Sequence, residues 1–242
     1  MVIPYGQIAT LFLDAGNTLI CIDFDWVAAE LEARGLPVSA AAVCRAEAAA
    51  RVQTSEVLSR GSTSEGLDPF QAMLAGILSQ LDAVAGRGGN LAAKLAAELG
   101  PVLLTPGRSD LLWRTVIPGV PEALASLRES GLDLVVVSNS DGTVEQNLKD
   151  RGLAPYLSHI VDSAVVGIEK PDPRIFEYAL AASGARREST VHVGDIYAAD
   201  VEGARAAGLD AILLDPFGDW ENVHCRKAVD LGELARRIQQ AQ

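Results

Sequence analysis

The sequence predicts an α/β protein, built on a parallel sheet with helices on both faces and carrying an all-helical module inserted after the first strand. Three observations predict it. Short, almost continuously apolar runs recur at residues 8–13 (IATLFL), 133–138 (DLVVVS), 190–194 (TVHVG) and 210–214 (DAILL). Strands covered on both faces read this way, because neither face meets water. Between the later runs lie amphipathic segments that end in glycine, the usual helix stop. Residues 22–114 show helical periodicity and no strand-like run.

In chain order, the first run closes at the turn Asp14-Ala15-Gly16-Asn17. Helical periodicity then covers about 24–34, 40–59, 69–84 and 90–99, broken at Gly61-Ser62-Thr63-Ser64 and Gly86-Arg87-Gly88-Gly89. Ser39 and Asp68 read as helix caps, and Pro69 suits a first helical position. The sheet pattern resumes at Ile117-Pro118-Gly119, which sets the expected boundaries: 1–21 with 115–242 for the sheet part, 22–114 for the insert. The segments PEALASLRESG, TVEQNLKDRG, PRIFEYALAASG and DVEGARAAG supply the helices between strands. Trp26, Trp113 and Trp220 read as packing residues, with lining of a pocket under the insert as the alternative, and His192, inside an apolar run, as core.

Composition narrows the function. With 20 Lys and Arg against 32 Asp and Glu, the 242 residues carry a net charge of −12. That is the wrong sign for a nucleic-acid partner, whose phosphates are bound by clustered Lys and Arg. Apolar residues at 49% and charged residues at 21% fit a globular chain, not a disordered one. No apolar stretch reaches the ~18 residues that a membrane span needs. The N-terminal residues lack a basic region and meet Asp14 early, so they do not read as a secretory leader. Cys21, Cys44 and Cys225 are scattered and odd in number, as free thiols in a reducing cytoplasm would be. The expected location is therefore cytoplasmic, and the sequence carries no signal for an oligomeric state.

In an open parallel sheet, ligands bind beyond the carboxyl ends of the strands. Asp14 and then Thr18 follow the first run; Ser138 closes the second, with Asn139 after it; Asp195 follows Gly194, with Asp200 further on. Lys170 lies before Pro171, in a segment that proline keeps out of a helix. Three carboxylates, a lysine and a hydroxyl would converge at one sheet edge. Asp14 and Asp195 are hard oxygen donors suited to Mg²⁺, and a carboxylate can attack phosphorus to give an aspartyl-phosphate. Mg²⁺, Lys170 and Ser138 would hold the transferring oxygens. Taken singly these residues have ordinary explanations: Asp14 could cap a turn, Asp195 and Asp200 could cap the helix DVEGARAAG, and Lys170 could be a solvated loop lysine.

In order along the chain, LFLDAGNTLI, VVVSNS, GIEKPDPRIF and VGDIYAAD resemble the four motifs of the haloacid dehalogenase-like (HAD) hydrolase superfamily. The resemblance spans essentially the whole chain, with the helical insert where that family places its cap. It implies a Rossmann-like core under a mobile cap, with Asp14 as nucleophile and metal ligand and the Gly16 carbonyl as a second ligand. It further implies phosphoryl binding by Ser138, charge neutralisation by Lys170, and Mg²⁺ held at Asp195 with Asp200 nearby. Thr18 and Asn139 join the expected substrate-binding set, and the expected substrate is a small phosphorylated metabolite.

One departure bears on activity. Phosphatases of the family carry a second aspartate two residues after the nucleophile, as acid and base, and here Gly16 stands there. General acid–base catalysis contributes about 10²–10⁴-fold, so phosphate-ester hydrolysis is expected to be weak. Asp23 or Asp25, at the start of the insert, or a cap residue or the substrate itself, could replace that acid. On this reading Gly16→Asp should raise phosphatase activity. Three functions are consistent with these residues: a Mg²⁺-dependent phosphatase, a non-catalytic phosphate- or partner-binding relative, and a dehalogenase- or phosphonatase-like hydrolase. Against the last stand the Asp195–Asp200 pattern of metal-using members and an insert whose lone lysine is Lys94.

Overall fold

The computed structural model describes residues 2–59, 69–85, 87, 90–105 and 108–242. The chain runs β1 (Thr10–Leu13), β2 (Ile20–Cys21), then five helices: α1 (Phe24–Glu32), α2 (Ala40–Ser59), α3 (Pro69–Ser79), α4 (Asp82–Ala85) and α5 (Leu91–Leu103). It continues β3 (Thr115–Val116), α6 (Val120–Glu129), β4 (Asp133–Ser138), α7 (Val144–Asp150), β5 (His159–Asp162), α8 (Ser163–Val166) and α9 (Pro173–Ser183). The last part holds β6 (Thr190–Gly194), a π-helical turn (Tyr197–Glu202) leading into α10 (Gly203–Ala206), β7 (Asp210–Leu214), β8 (Arg226–Ala228) and α11 (Leu231–Gln239). Contacts divide it into two compact units, Met1–Ile22 with Gly107–Gln242, and Asp23–Pro106.

The first unit is a Rossmann-like layer: a six-stranded parallel sheet in the order β5-β4-β1-β6-β7-β8. Every residue of β1 is buried, as the continuous apolar run requires of a central strand. Leu11 and Leu13 point into one core with Leu124, Leu127, Val136 and Ile238, and alternation turns Phe12 to the other face. The antiparallel pair β2–β3 was absent from the sequence reading, as was the short edge strand β8. Strands of two or three residues are too short to show a period.

The sequence placed the insert's end at 114, whereas the contacts place residues 107–114 with the sheet unit. The reason is a set of hydrogen bonds that no local pattern reveals. Ser109 Oγ donates to Asp141 (2.8 Å), Asn147 Nδ2 donates to the Trp113 carbonyl (2.9 Å), and Arg151 donates to the carbonyls of Asp110 (3.0 Å) and Arg114 (2.9 Å).

In the second unit α3 packs against α2 and α5, and α1 against α2. Leu74, Ile77, Leu78, Leu95, Leu99 and Leu103 are buried there. Asp23 caps α1 by accepting from the Trp26 N–H (2.8 Å), and Asp25 is exposed. Ser39 accepts from the Ala42 N–H (3.1 Å), as a cap should. The expected cap at Asp68 and the break at 61–64 lie outside the described residues, as do Gly86, Gly88 and Gly89 of the second break. Among the described residues no helix is long and apolar enough to cross a membrane. Cys21 is buried, and Cys44 and Cys225 are half-buried.

Candidate active site

Strand order reverses around β1, which lies between β4 and β6, and such a reversal opens a crevice at the carboxyl ends of the strands. Asp14 follows the last residue of β1 and is held in register by its N–H on the Val193 carbonyl (2.8 Å). Asp195 follows the last residue of β6, and Ser138 ends β4, buried. The three strand-end positions singled out in the sequence thus share one edge.

Lys170, from the connection between α8 and α9, joins them. Its Nζ donates to Asp14 Oδ1 and to Asp200 Oδ1, both at 2.7 Å, and all three side chains are buried. Asn139 positions this lysine through its backbone: Nδ2 donates to the Lys170 carbonyl (2.9 Å), and Oδ1 accepts the Lys170 N–H (2.7 Å). The sequence reading gave Asn139 to the substrate; the structure engages its amide with Lys170.

Asp200 is tied down from all sides. Beyond Lys170, its Oδ1 accepts from His192 Nε2 (2.9 Å), while Oδ2 accepts the N–H groups of Asp195 (3.1 Å) and Ile196 (2.9 Å). The π-helical turn of residues 197–202 carries this carboxylate back over the end of β6. A Cβ at Gly194 would collide with the Asp200 carboxylate, so only glycine admits the approach. Gly194→Ala is therefore expected to cost about 1–3 kcal/mol as an overpacking change, read as a lower urea midpoint. Wild-type stability in that variant would mean that Asp200 does not close over Gly194.

His192 was read as a core residue, and it is fully buried, edge-on to Phe176 with ring centroids 4.9 Å apart. It nonetheless touches the site, because residues two apart on a strand share a face, and Gly194 on that face lies under Asp200. The available signal was that spacing of His192 and Gly194, masked by the apolar run around it. A carboxylate accepts, so Nε2 carries the proton, and Nδ1 has no hydrogen-bond partner among the described residues.

The electrostatics separate the two carboxylates on Lys170. Burial pushes Asp14 up, and the nearby Asp200 charge adds to this; Lys170 only partly offsets them, so Asp14 stands above the ordinary carboxylate range. Burial acts on Asp200 too, but Lys170 and the His192 hydrogen bond outweigh it and hold Asp200 well below that range. Burial also works against the Lys170 ammonium, yet Asp14 and Asp200 push it above the usual lysine value. Burial lowers His192, which keeps its ring neutral.

Asp14, Asp195 and Asp200 each offer an oxygen within 4.8 Å of the others. Three carboxylates with one ammonium leave two formal negative charges, and the donors are all hard oxygens. That donor set and charge fit a small divalent cation, which would also relieve the rise at Asp14. Asp195 Oδ2 accepts from Asn17 Nδ2 (3.1 Å), and Asn17 reaches it from a left-handed backbone with φ of 53°. Thr18 is buried in the same loop, and its hydroxyl has no hydrogen-bond partner among the described residues.

Gly16 has a neighbour that the sequence did not predict. A Cβ there would lie 2.9 Å from Trp113 Cζ3 and 3.2 Å from Cη2, so the indole fills the space beside Gly16. Trp113 does pack on the core, as expected, but one edge of its ring borders the loop after Asp14. Gly16→Asp alone would therefore meet the indole, which modifies the expectation that this change raises activity. His159, at the start of β5, and His224 are exposed.

A model of the haloacid dehalogenase-like hydrolase family matches residues 8–208. Haloacid dehalogenase-like hydrolase domain-containing protein 3 of Bos taurus is 31% identical over 187 residues, 77% of this chain and 72% of that protein. The phosphoserine phosphatase of Thermus thermophilus is 42% identical over 102 residues, 40% of this chain and 41% of that one. The crystal structure of a 2-haloacid dehalogenase from Pseudomonas syringae superposes with a TM-score of 0.55 at 25% identity, covering 96% of this chain and 99% of that one.

Proposed function

The chain belongs to the haloacid dehalogenase-like hydrolase family, and from that premise we propose that it is a Mg²⁺-dependent phosphohydrolase acting on a small phosphorylated metabolite. The observation that carries this reading is the buried Lys170 ammonium 2.7 Å from both Asp14 and Asp200, beside Asp195. Asp14 attacks phosphorus and becomes an aspartyl-phosphate, which water then hydrolyses. Lys170 orients the Asp14 carboxylate and neutralises phosphoryl charge, Ser138 and Thr18 offer hydroxyls to the phosphoryl oxygens, and Asn139 holds Lys170 in place. Asp14, Asp195 and the Gly16 carbonyl would hold Mg²⁺, with Asp200 adjoining. Bound there, the cation supplies positive charge against the transferring oxygens.

A panel of phosphate monoesters and acyl phosphates, assayed for phosphate release with Mg²⁺ and with EDTA, tests this. Release that requires Mg²⁺ supports it; no release from any substrate favours a non-catalytic phosphate-binding protein. Trp113 over Gly16 favours one second reading, carbon–halogen hydrolysis, because a departing halide needs no proton. Halide release from 2-chloropropionate that is unaffected by EDTA would establish that reading in place of the first.

A further inference from the structure

We infer that Trp113 is a specificity-determining residue: by filling the space beside Gly16 where a proton donor would stand, it restricts the site to acyl phosphates. Their leaving group departs as a carboxylate and needs no proton. This rests on the phosphohydrolase reading above.

The backbone that carries the indole is fixed. The main-chain N–H of Trp113 donates to the Ser109 carbonyl (2.9 Å), and the Trp113 carbonyl accepts from the buried Asn147 (2.9 Å). Ser109 in turn is held by Asp141, through its hydroxyl at 2.8 Å and its N–H at 3.3 Å, and its hydroxyl lies 2.9 Å from that of Thr143. The ring packs on the sheet core, so its edge stays 2.9 Å from the Cβ direction of Gly16.

Among the described residues of the sheet unit, the ionisable side chains at the site are already engaged. Lys170 Nζ donates to Asp14 and Asp200, His192 Nε2 donates to Asp200, and Asp200 accepts four hydrogen bonds. Asp195 accepts from Asn17. With no free acid among these side chains of the sheet unit, an alkoxide leaving group departs unprotonated and loses the roughly 10²–10⁴-fold that a general acid contributes. For an acyl phosphate, the Asp14 oxygen–phosphorus bond forms as the bridging P–O bond breaks, and the electron pair leaves on the carboxylate. Water then adds its oxygen to phosphorus and both its protons to the products, so that Asp14 is restored as a carboxylate and phosphate is released. The same missing group would have activated that water, so phosphorylated Asp14 should accumulate.

The test compares acetyl, p-nitrophenyl, phenyl and glycerol phosphates on the wild-type enzyme with Mg²⁺, with intact mass of the quenched protein as a second readout. kcat/KM is expected to fall with rising basicity of the leaving group, by at least about 100-fold from acetyl to glycerol phosphate, with a phosphorylated protein seen during acetyl phosphate turnover. Gly16→Asp with Trp113→Gly should flatten that series, and Gly16→Asp alone should not. A wild-type enzyme that phosphorylates on Asp14 yet hydrolyses all four substrates equally overturns the role of Trp113 and leaves the phosphohydrolase reading standing. Absence of both phosphorylation and phosphate release overturns both. A flat wild-type series overturns the proposal even if the double variant does not fold.

Discussion

Asp14→Asn is expected to lower turnover on the order of 10⁴-fold or more, the scale for loss of a nucleophile, while leaving the metal-free protein at least as stable as wild type. The stability half comes from the sign of the pKa shift. The folded protein holds the Asp14 carboxyl above its ordinary value, so at neutral pH the ionised form opposes folding. A neutral amide removes that cost and still offers Lys170 an oxygen. Urea unfolding in EDTA, beside a phosphate-release assay, checks both halves. A substantial drop in the urea midpoint would show that the Asp14 charge supports the fold.

Asp200→Asn should behave in the opposite way, though it contacts the same lysine nitrogen at the same distance. The folded protein holds Asp200 below its ordinary value, so its charge stabilises the fold at neutral pH, and that contribution is lost only as pH falls through the acid range. Removing this charge, unlike that of Asp14, weakens the acceptor of four hydrogen bonds and turns an NH₂ toward donors already in place, His192 or the N–H groups of Asp195 and Ile196. Breaking a buried, hydrogen-bonded ion pair costs about 3–5 kcal/mol. The variant is expected to unfold at clearly lower urea and to lose activity with Lys170 misplaced. Equal midpoints for Asp14→Asn and Asp200→Asn would refute this division between a carboxylate kept for chemistry and one kept for structure.

Much of this site is legible in the amino-acid sequence, for a definite reason. A buried parallel strand announces itself by a continuous apolar run, and the residue just beyond that run stands at the ligand-binding edge. That argument places Asp14, Ser138 and Asp195 together without knowledge of the fold's dimensions. Lys170 was legible through its place in the third motif, since taken alone it reads equally as a solvated loop lysine. His192 was not legible, since an apolar run conceals a polar member whose partner, Asp200, approaches only through a glycine and a π-helical turn. Asn139 was legible as a site residue but not as the one that grips the Lys170 backbone. Trp113 read as packing, which is true, yet its effect on Gly16 depends on a contact between segments far apart in the chain.

The layer of parallel strands, the helical insertion, the order of the four motifs and the lack of an acid at residue 16 are all written in the chain. Those depend on local periodicity and on residue types at strand ends, which the chain carries wherever it goes. Tertiary structure alone decided that residues 107–114 belong with the sheet, that an indole stands beside Gly16, and that Asp14 and Asp200 shift in opposite directions on one lysine. The physical reason is common to all three: steric exclusion and buried electrostatics depend on separations of a few ångströms between segments distant in sequence, and those separations exist only once the chain has packed.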